Sequence, residues 1–492
     1  MRLAGALGRA LSLPGRSVYN PPAGEYQTER SERRMVSHEA LQDRFQRNVV
    51  HALRVQLVDA ADPLAGLLAA LREAGARLGE LRLLGHAQGR LTYDLQLFTR
   101  ADAEAAAARD AAAALDGVEV LEMRDPAMET HRGGACEMHG RTPIRSNTDL
   151  RIVYTPGVAR VCKAIQADAS LAHEYTNISN KVAIVTNGTA ILGLGDIGVV
   201  PGLPVMEGKS AIFWEFAGVS AEPILVDSHD PDEIIETVVR IAPTFGAIQV
   251  EDIKAPECFR VTRELDRRLP IPVMHDDQYG TATVVLGGLY SALNKTGRDI
   301  GEMTCAISGA GAAGTAIADL LLKSGAPDVV LCDSAGIIHK GRRERMNDEK
   351  RSLAEWTNKD GLTGTLADAM AGRALFIGVS QPDIVSPEMI RSMSDGPIVL
   401  ALANPVSEIG RDDALEAGAS VYADGRMMNN ALAYPGIFRG ALDARAEAIT
   451  ERMMMAAAEA LAGQVADGQL MPEMMDPAVH QAVADAVRAA AG

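Results

Sequence analysis

Between residues 48 and 124 the spacing of apolar positions switches repeatedly between two periods. VVHALRVQLVD alternates apolar with polar, as a strand with one buried face does, and PLAGLLAALREAGA repeats its apolar residues at helical spacing. ELRLLGHA and RLTYDLQLFT alternate again and read as a hairpin pair; DAEAAAARDAAAALDG returns to helix and VEVLEMRD to strand. The order βαββαβ predicts a small ferredoxin-like α+β domain over 48–124. A polar stretch without periodicity, 125–146, reads as a linker. From there to about residue 440, short Val/Ile/Leu runs alternate with helical patterns, which predicts α/β architecture with parallel sheets covered by helices. The pattern divides into a first α/β domain at 147–285, a second at 286–440 and C-terminal helices at 441–492. The methionines of ERMMMAAAEALAG fall at helical spacing and read as packing residues.

Composition narrows the function classes. A chain of 492 residues is too long for one domain, and 47% apolar content supports real cores. Lys and Arg number 48 against 65 Asp and Glu, a net charge of −17, which argues against binding a nucleic-acid backbone. No apolar run reaches membrane-spanning length. Small molecules are therefore the expected partners, with no nucleic acid and no membrane. Cys136, Cys162, Cys258, Cys305 and Cys332 are scattered and form no CxxC, which excludes a zinc ribbon and a disulfide framework and favours a reducing, cytoplasmic setting. Residues 1–47 read as a disordered leader; their first half carries arginines and no acid, a composition that transit peptides share.

The glycine fingerprint GxGxxG occurs twice. GLGDIG (Gly193, Gly195, Gly198) runs into VVPGLP, whose prolines argue against a helix starting there, so it reads as a turn. GAGAAG (Gly309, Gly311, Ala312, Ala313, Gly314) follows the strand-like TCAIS and opens the helical TAIADLLLKSG. The next strand, DVVLCD, ends in Asp333 at the distance a dinucleotide-binding unit requires. Asp333 is expected to accept hydrogen bonds from ribose hydroxyls and to repel a 2′-phosphate, which favours NAD; Ser334, Lys340, Arg342 and Arg343 could offset that repulsion and admit NADP.

Two acidic pairs stand at the ends of apolar strands: Glu251–Asp252 in FGAIQVEDIKAP and Asp276–Asp277 in VMHDDQYGTATV. A helix and a strand between them would make these the ends of adjacent parallel strands, where ligands of open α/β sheets bind. Oxygens converging there, with no His or Cys cluster nearby, suit Mg²⁺ or Mn²⁺. The alternative is that each Asp caps a helix.

Taken together, YTPGV, VTNGTAILGLGDIG, PVMEGKSAIFWEF, VEDIKAP, HDDQYGTATV, GAGAAG, LANP and MNNALAYPGIF occur in the order found in malic enzymes, and the chain from about 135 to 490 resembles their short bacterial form. The resemblance implies oxidative decarboxylation of (S)-malate to pyruvate and CO₂. It implies Tyr154 as general acid, Lys209 as general base with its proton affinity lowered by burial and the metal, and Asp276 beside Lys209. It implies Glu251, Asp252 and Asp277 as metal ligands, and Asn404 and Asn430 as substrate-binding residues. Ala190 stands where the longer enzymes of the family carry an Arg that grips a substrate carboxylate.

The module at 48–124 resembles an ACT domain in layout. That implies an amino-acid effector at DAADPLAG (59–66) and a homodimer or higher homo-oligomer; a dimerisation module without ligand has the same layout. Two other functions remain open on these residues: a malolactic-type or oxaloacetate decarboxylase, and an amino-acid-sensing protein with a relic catalytic domain.

Overall fold

The computed structural model describes residues 49–59, 63–191, 194–404 and 406–492; the leader expected at 1–47 lies outside them. The chain divides into two compact units at 130/131.

In the first unit, β1 (Val49–Val58), β2 (Arg77–Ala87), β3 (Arg90–Thr99) and β4 (Val118–Arg124) form an antiparallel sheet in the order β2-β3-β1-β4. The alternation in β1 is realised residue by residue: Leu53, Val55 and Leu57 are buried against Leu67 and Leu71 of helix Leu64–Glu73 and Ala108 and Ala112 of helix Asp102–Ala113. On the other face Arg54 and Arg124 both pair with Asp94. Gln88 and Gly89, with φ of 54° and 71°, make the two-residue turn between β2 and β3. This is the expected ferredoxin-like layout.

The second unit holds two sheets. β5 (Lys181–Thr186), β6 (Ser220–Leu225), β7 (Ala247–Val250) and β8 (Val273–His275) lie in the order β6-β5-β7-β8, every pair parallel. β9 (Cys305–Ser308), β10 (Val329–Asp333), β11 (Gly336–Ile337), β12 (Leu375–Gly378), β13 (Ile398–Ala401) and β14 (Val421–Asp424) lie in the order β11-β10-β9-β12-β13-β14. Only β11 is antiparallel to its neighbour. The strand order reverses between β9 and β12, the doubly wound plan with its switch point at that crevice. Helix Thr281–Thr296 runs unbroken through the boundary expected at 285/286. Its Val285 and Leu289 share one core with Val182 and Ile184 of β5 and Ile307 of β9. Met453 and Met454 of helix Glu451–Gly463 are buried in that core, as packing residues are.

Two local expectations are corrected. A helix, Val199–Ala217, does start directly after Gly198. Pro201 falls in its first turn, where N–H groups have no intrahelical partner, and Pro204 costs the helix one bond. The C-terminal helices do not begin at 441: helix Tyr434–Ala444 runs across that boundary and ends at Arg445 (φ 51°), before helix Glu451–Gly463. Helices Asn147–Val153 and Val158–Ala167 bury none of their residues, and Ile144, Leu150, Ile152 and Val153 are all exposed.

Candidate active site

β7 and β8 pair with Val250 opposite His275, so the two acidic pairs leave the sheet side by side. Asp252 bends out of the strand at φ 48°, a conformation Asp tolerates better than most residues, and its backbone N–H donates to Asp277 Oδ2 at 3.0 Å. Carboxylate oxygens of Glu251, Asp252 and Asp277 all lie within 4.8 Å of one another. Gly280 makes room for the cluster: a Cβ there would stand 1.8 Å from Asp276 Oδ1.

Lys209 reaches the cluster from helix Val199–Ala217, with Nζ 2.7 Å from Asp276 Oδ2, 2.9 Å from Glu251 Oε1 and 4.8 Å from the centre of the Tyr434 ring. Burial works to lower its proton affinity, but the charges of Asp276 and Glu251 outweigh it and hold the ammonium well above its ordinary value. The lowering expected of Lys209 depends on the metal as well as on burial, and the carboxylates by themselves act the other way. Burial, reinforced by the neighbouring carboxylates, pushes Glu251 up despite Lys209, and pushes Asp252 up to about 7. Carboxylates crowded in this way, all hard oxygen donors, fit a divalent cation that would relieve their repulsion.

Some supporting residues were not singled out in the sequence. His275 is fully buried, with Nε2 3.1 Å from Asp277 Oδ2 and Nδ1 3.0 Å from Gln278 Oε1. Burial opposes its charge, but Asp277 raises it well above the ordinary imidazole value. Asp277 is held low by His275 against the effect of burial. Gln249 donates to Glu251 Oε2 at 2.6 Å. Both residues adjoin the acidic pairs in sequence, and that adjacency was the available signal.

Asn430 donates to Asp276 Oδ2 at 3.4 Å and to Thr281 Oγ1 at 3.0 Å, so it belongs to the cluster. Asn404 is exposed in the loop after β13. Tyr154 ends helix Asn147–Val153 and is 67% exposed; among the described residues no hydrogen bond or ion pair joins its hydroxyl to the carboxylates. Ala190 donates its backbone N–H to Asp252 O at 2.9 Å.

At the switch point, β9 leads through Gly309 (φ 115°) into helix Ala312–Lys323, whose N-cap is Gly311 with no side-chain cap. A Cβ at Gly314 would meet Gly309 O at 1.9 Å, whereas one at Gly311 meets no protein atom within 4 Å. The tight turn and the open space before free helix N–H groups fit a pyrophosphate. The other motif, GLGDIG, lies in the longer loop between β5 and helix Val199–Ala217, which starts only after its last glycine; its Gly193 lies outside the described residues. Asp333 ends β10, but its carboxylate is already engaged. Oδ1 accepts from Ala335 N at 2.8 Å and Arg342 Nη2 at 2.7 Å, and Oδ2 from Arg342 Nη2 and Lys350 Nζ, both at 2.7 Å. Lys340 turns away to Glu355.

A doubly wound dinucleotide fold beside a lysine-bearing carboxylate cluster defines a dehydrogenase that acts on a small, metal-chelating hydroxy acid. The family model for the malic enzyme N-terminal domain matches residues 135–266, and that for the malic enzyme NAD-binding domain matches 278–428 and 416–491. The chain is 46% identical to the bifunctional malic/malolactic enzyme of Bacillus subtilis, over 75% of this chain and 93% of the relative. It is 44% identical to the NAD-dependent malic enzyme of Geobacillus stearothermophilus, over 76% and 79%. The crystal structure of the NAD-dependent malic enzyme of Thermotoga maritima superposes with a TM-score of 0.71 at 41% identity, over 74% of this chain and 98% of that one. The chain belongs to the malic enzyme family. Its reaction is the oxidative decarboxylation of malate to pyruvate and CO₂ with reduction of NAD or NADP. Among the described residues no helix is long and apolar enough to cross a membrane.

Proposed function

We propose that Glu251, Asp252 and Asp277 hold Mg²⁺ or Mn²⁺, and that Lys209, Asp276, Asn404, Asn430 and Tyr154 carry malate through the reaction. The observation that carries this reading is the 4.8 Å convergence of three carboxylates beside Lys209. When bound, the cation would supply Lewis acidity at the substrate hydroxyl and at the enolate. Lys209 loses the Glu251 share of its charge attraction once Glu251 becomes a ligand, so its proton affinity falls toward that of a base. Lys209 then takes the C2 hydroxyl proton as hydride passes from C2 to the nicotinamide of the NAD or NADP substrate. Asp276 keeps the ammonium in place, and Asn430, bonded to Asp276, orients the substrate with Asn404. After CO₂ leaves, Tyr154 delivers a proton to C3.

The exposed apolar residues around Tyr154 support a homodimer in which a second copy covers Ile144, Leu150, Ile152 and Val153. Ile152→Glu is expected to dissociate the dimer in sedimentation and to lower turnover at least about tenfold; a dimeric, fully active variant would remove this part of the reading.

The ferredoxin-like unit supports an ACT-like role with an amino-acid effector at the turn after β1, partly outside the described residues. Deleting residues 1–127 should then abolish any response of malate kinetics to a panel of amino acids. The five free cysteines support a cytoplasmic location.

The overall reading is tested by following reduced nicotinamide absorbance with malate, Mn²⁺ and NAD or NADP. The relative named for both malic and malolactic activity favours a second reading, malolactic conversion. Lactate formed without net reduced cofactor would identify it; equal amounts of pyruvate and reduced cofactor identify the malic reaction.

A further inference from the structure

One buried carboxylate takes no part in the cluster around Lys209. Glu408, in the segment after β13, is wholly buried, and among the described residues no ion pair joins it to a cation. Its partners are backbone groups of two different loops. Oε1 accepts from Ser380 N at 3.0 Å, in the loop after β12, and Oε2 from Ala403 N at 3.0 Å, in the loop after β13. The backbone around Glu408 is held independently of its side chain: Val385 N donates to Glu408 O at 3.0 Å and Asp383 N to Ser407 O at 3.1 Å. A Cβ on Gly378, the last residue of β12, would stand 2.2 Å from Glu408 Cδ, so the strand end is shaped around the carboxylate. Burial raises the proton affinity of Glu408, and the N–H groups work the other way. Burying a charge without a counter-charge is costly. An ionised carboxylate carries acceptors on both oxygens and no donor, which suits two converging N–H groups.

Each of the two loops leads to a working part of the site. Ser380 Oγ lies 2.8 Å from Ser308 Oγ, and Val379 N donates to Ser308 O at 2.8 Å. A Cβ on Gly309 would meet Val379 O at 2.6 Å, so the β12 loop is fitted against the glycine turn. Ala403 directly precedes Asn404, and Gly425 leaves room for that side chain: a Cβ there would stand 3.2 Å from Asn404 Nδ2. β12 and β13 belong to the second half of the doubly wound sheet, the half that receives the second nucleotide of a dinucleotide. Resting on the malic-enzyme reading of this site, we propose that Glu408 is a positioning residue for hydride transfer. By holding both loops it fixes where the nicotinamide end of the dinucleotide stands relative to Asn404 and the hydroxy acid.

Glu408→Gln in the full-length protein keeps the shape of the side chain but turns an NH₂ donor toward one of the two N–H groups. Titration calorimetry with ADP and with NAD reads the two halves of the dinucleotide apart. ADP affinity should stay within about twofold of the wild type, while the ratio of NAD to ADP affinity falls several-fold. With Mn²⁺, kcat should fall at least about tenfold, because misplaced reacting atoms slow the chemical step. Malate deuterated at C2 should then show a larger isotope effect on kcat than it does with the wild type. A loss of folded enzyme alone would lower kcat and move neither the isotope effect nor the affinity ratio. Ser380→Ala, at an exposed side chain, keeps the N–H bond to Glu408 and cuts the tie to Ser308. It should move both readouts the same way by less, and it decides the matter if Glu408→Gln does not fold. A wild-type isotope effect and affinity ratio in the folded variants would overturn this inference alone. A wild type that oxidises malate with neither dinucleotide would remove the malic-enzyme reading and the inference with it.

Discussion

Lys209 and Asp276, 67 residues apart, meet in a 2.7 Å ion pair whose acidic partner is wholly buried. Glu251 stands 2.9 Å from the same nitrogen. Buried charges persist only when paired, and removing one partner leaves the others uncompensated. Lys209→Ala should therefore end malate oxidation and destabilise the metal-free protein by about 3–5 kcal/mol. Urea unfolding in chelator checks the second effect. A loss below about 1 kcal/mol would mean that the carboxylates take up protons instead.

Asp252 makes metal binding and stability depend on pH in opposite directions. Its folded proton affinity is raised from the ordinary 3.8 to about 7, by burial first and by Asp277 second. Between about pH 4 and pH 7 Asp252 holds its proton in the fold and loses it in the unfolded chain, so its own contribution to the stability of the metal-free protein falls as pH rises through that window. Mn²⁺ must displace the same proton, so its affinity should rise with pH and flatten above about pH 7. Thermal unfolding in chelator of the wild type against Asp252→Asn, and Mn²⁺ titration of the wild type, read the two slopes across this range; a wild type that gains on the variant as pH rises would contradict the assignment.

Gly311 and Gly314 should separate cofactor binding from folding. A methyl at Gly314 collides with Gly309 O, and about 1–3 kcal/mol of stability should go with it. A methyl at Gly311 meets no protein atom within 4 Å. Gly311→Ala should therefore unfold like the wild type yet bind ADP at least about tenfold more weakly, because it fills the space of the pyrophosphate. Unaltered ADP affinity would move the pyrophosphate elsewhere.

Tyr154→Phe should divide the reaction. In the proposed mechanism hydride transfer depends on Lys209 and the carboxylates, whereas proton delivery to C3 depends on the phenol. The variant is expected to reduce oxaloacetate at near wild-type rate but to lose proton exchange at the pyruvate methyl by about 100-fold or more. Parallel loss of both activities would assign Tyr154 a structural role.

Much of this was legible in the chain because the informative patterns are local. A strand of period two announces itself in VVHALRVQLV, and β7 and β9 are buried runs because helices cover both faces of a parallel sheet. Glu251, Asp252, Asp276 and Asp277 could be read together because parallel strands deliver their ends to one edge. The helix after Gly198 was missed because a rule about helix interiors was applied to a first turn.

The sequence by itself determined the alternation of strands and helices, the glycine turn at 309–314 and the acidic ends of β7 and β8, since each depends on residues a few positions apart. Tertiary structure alone decided which charges neutralise which. It placed Lys209 between Asp276 and Glu251, whose charges outweigh the effect of burial on its proton affinity. It closed Arg342 and Lys350 over Asp333, so that the carboxylate expected to face ribose hydroxyls is already paired within the chain. It left Tyr154 on an exposed helix end, with no hydrogen bond to the carboxylates among the described residues. Charge interactions are set by distances of a few ångströms between side chains far apart in the chain and by the burial that strengthens them, and neither is written in the order of residues.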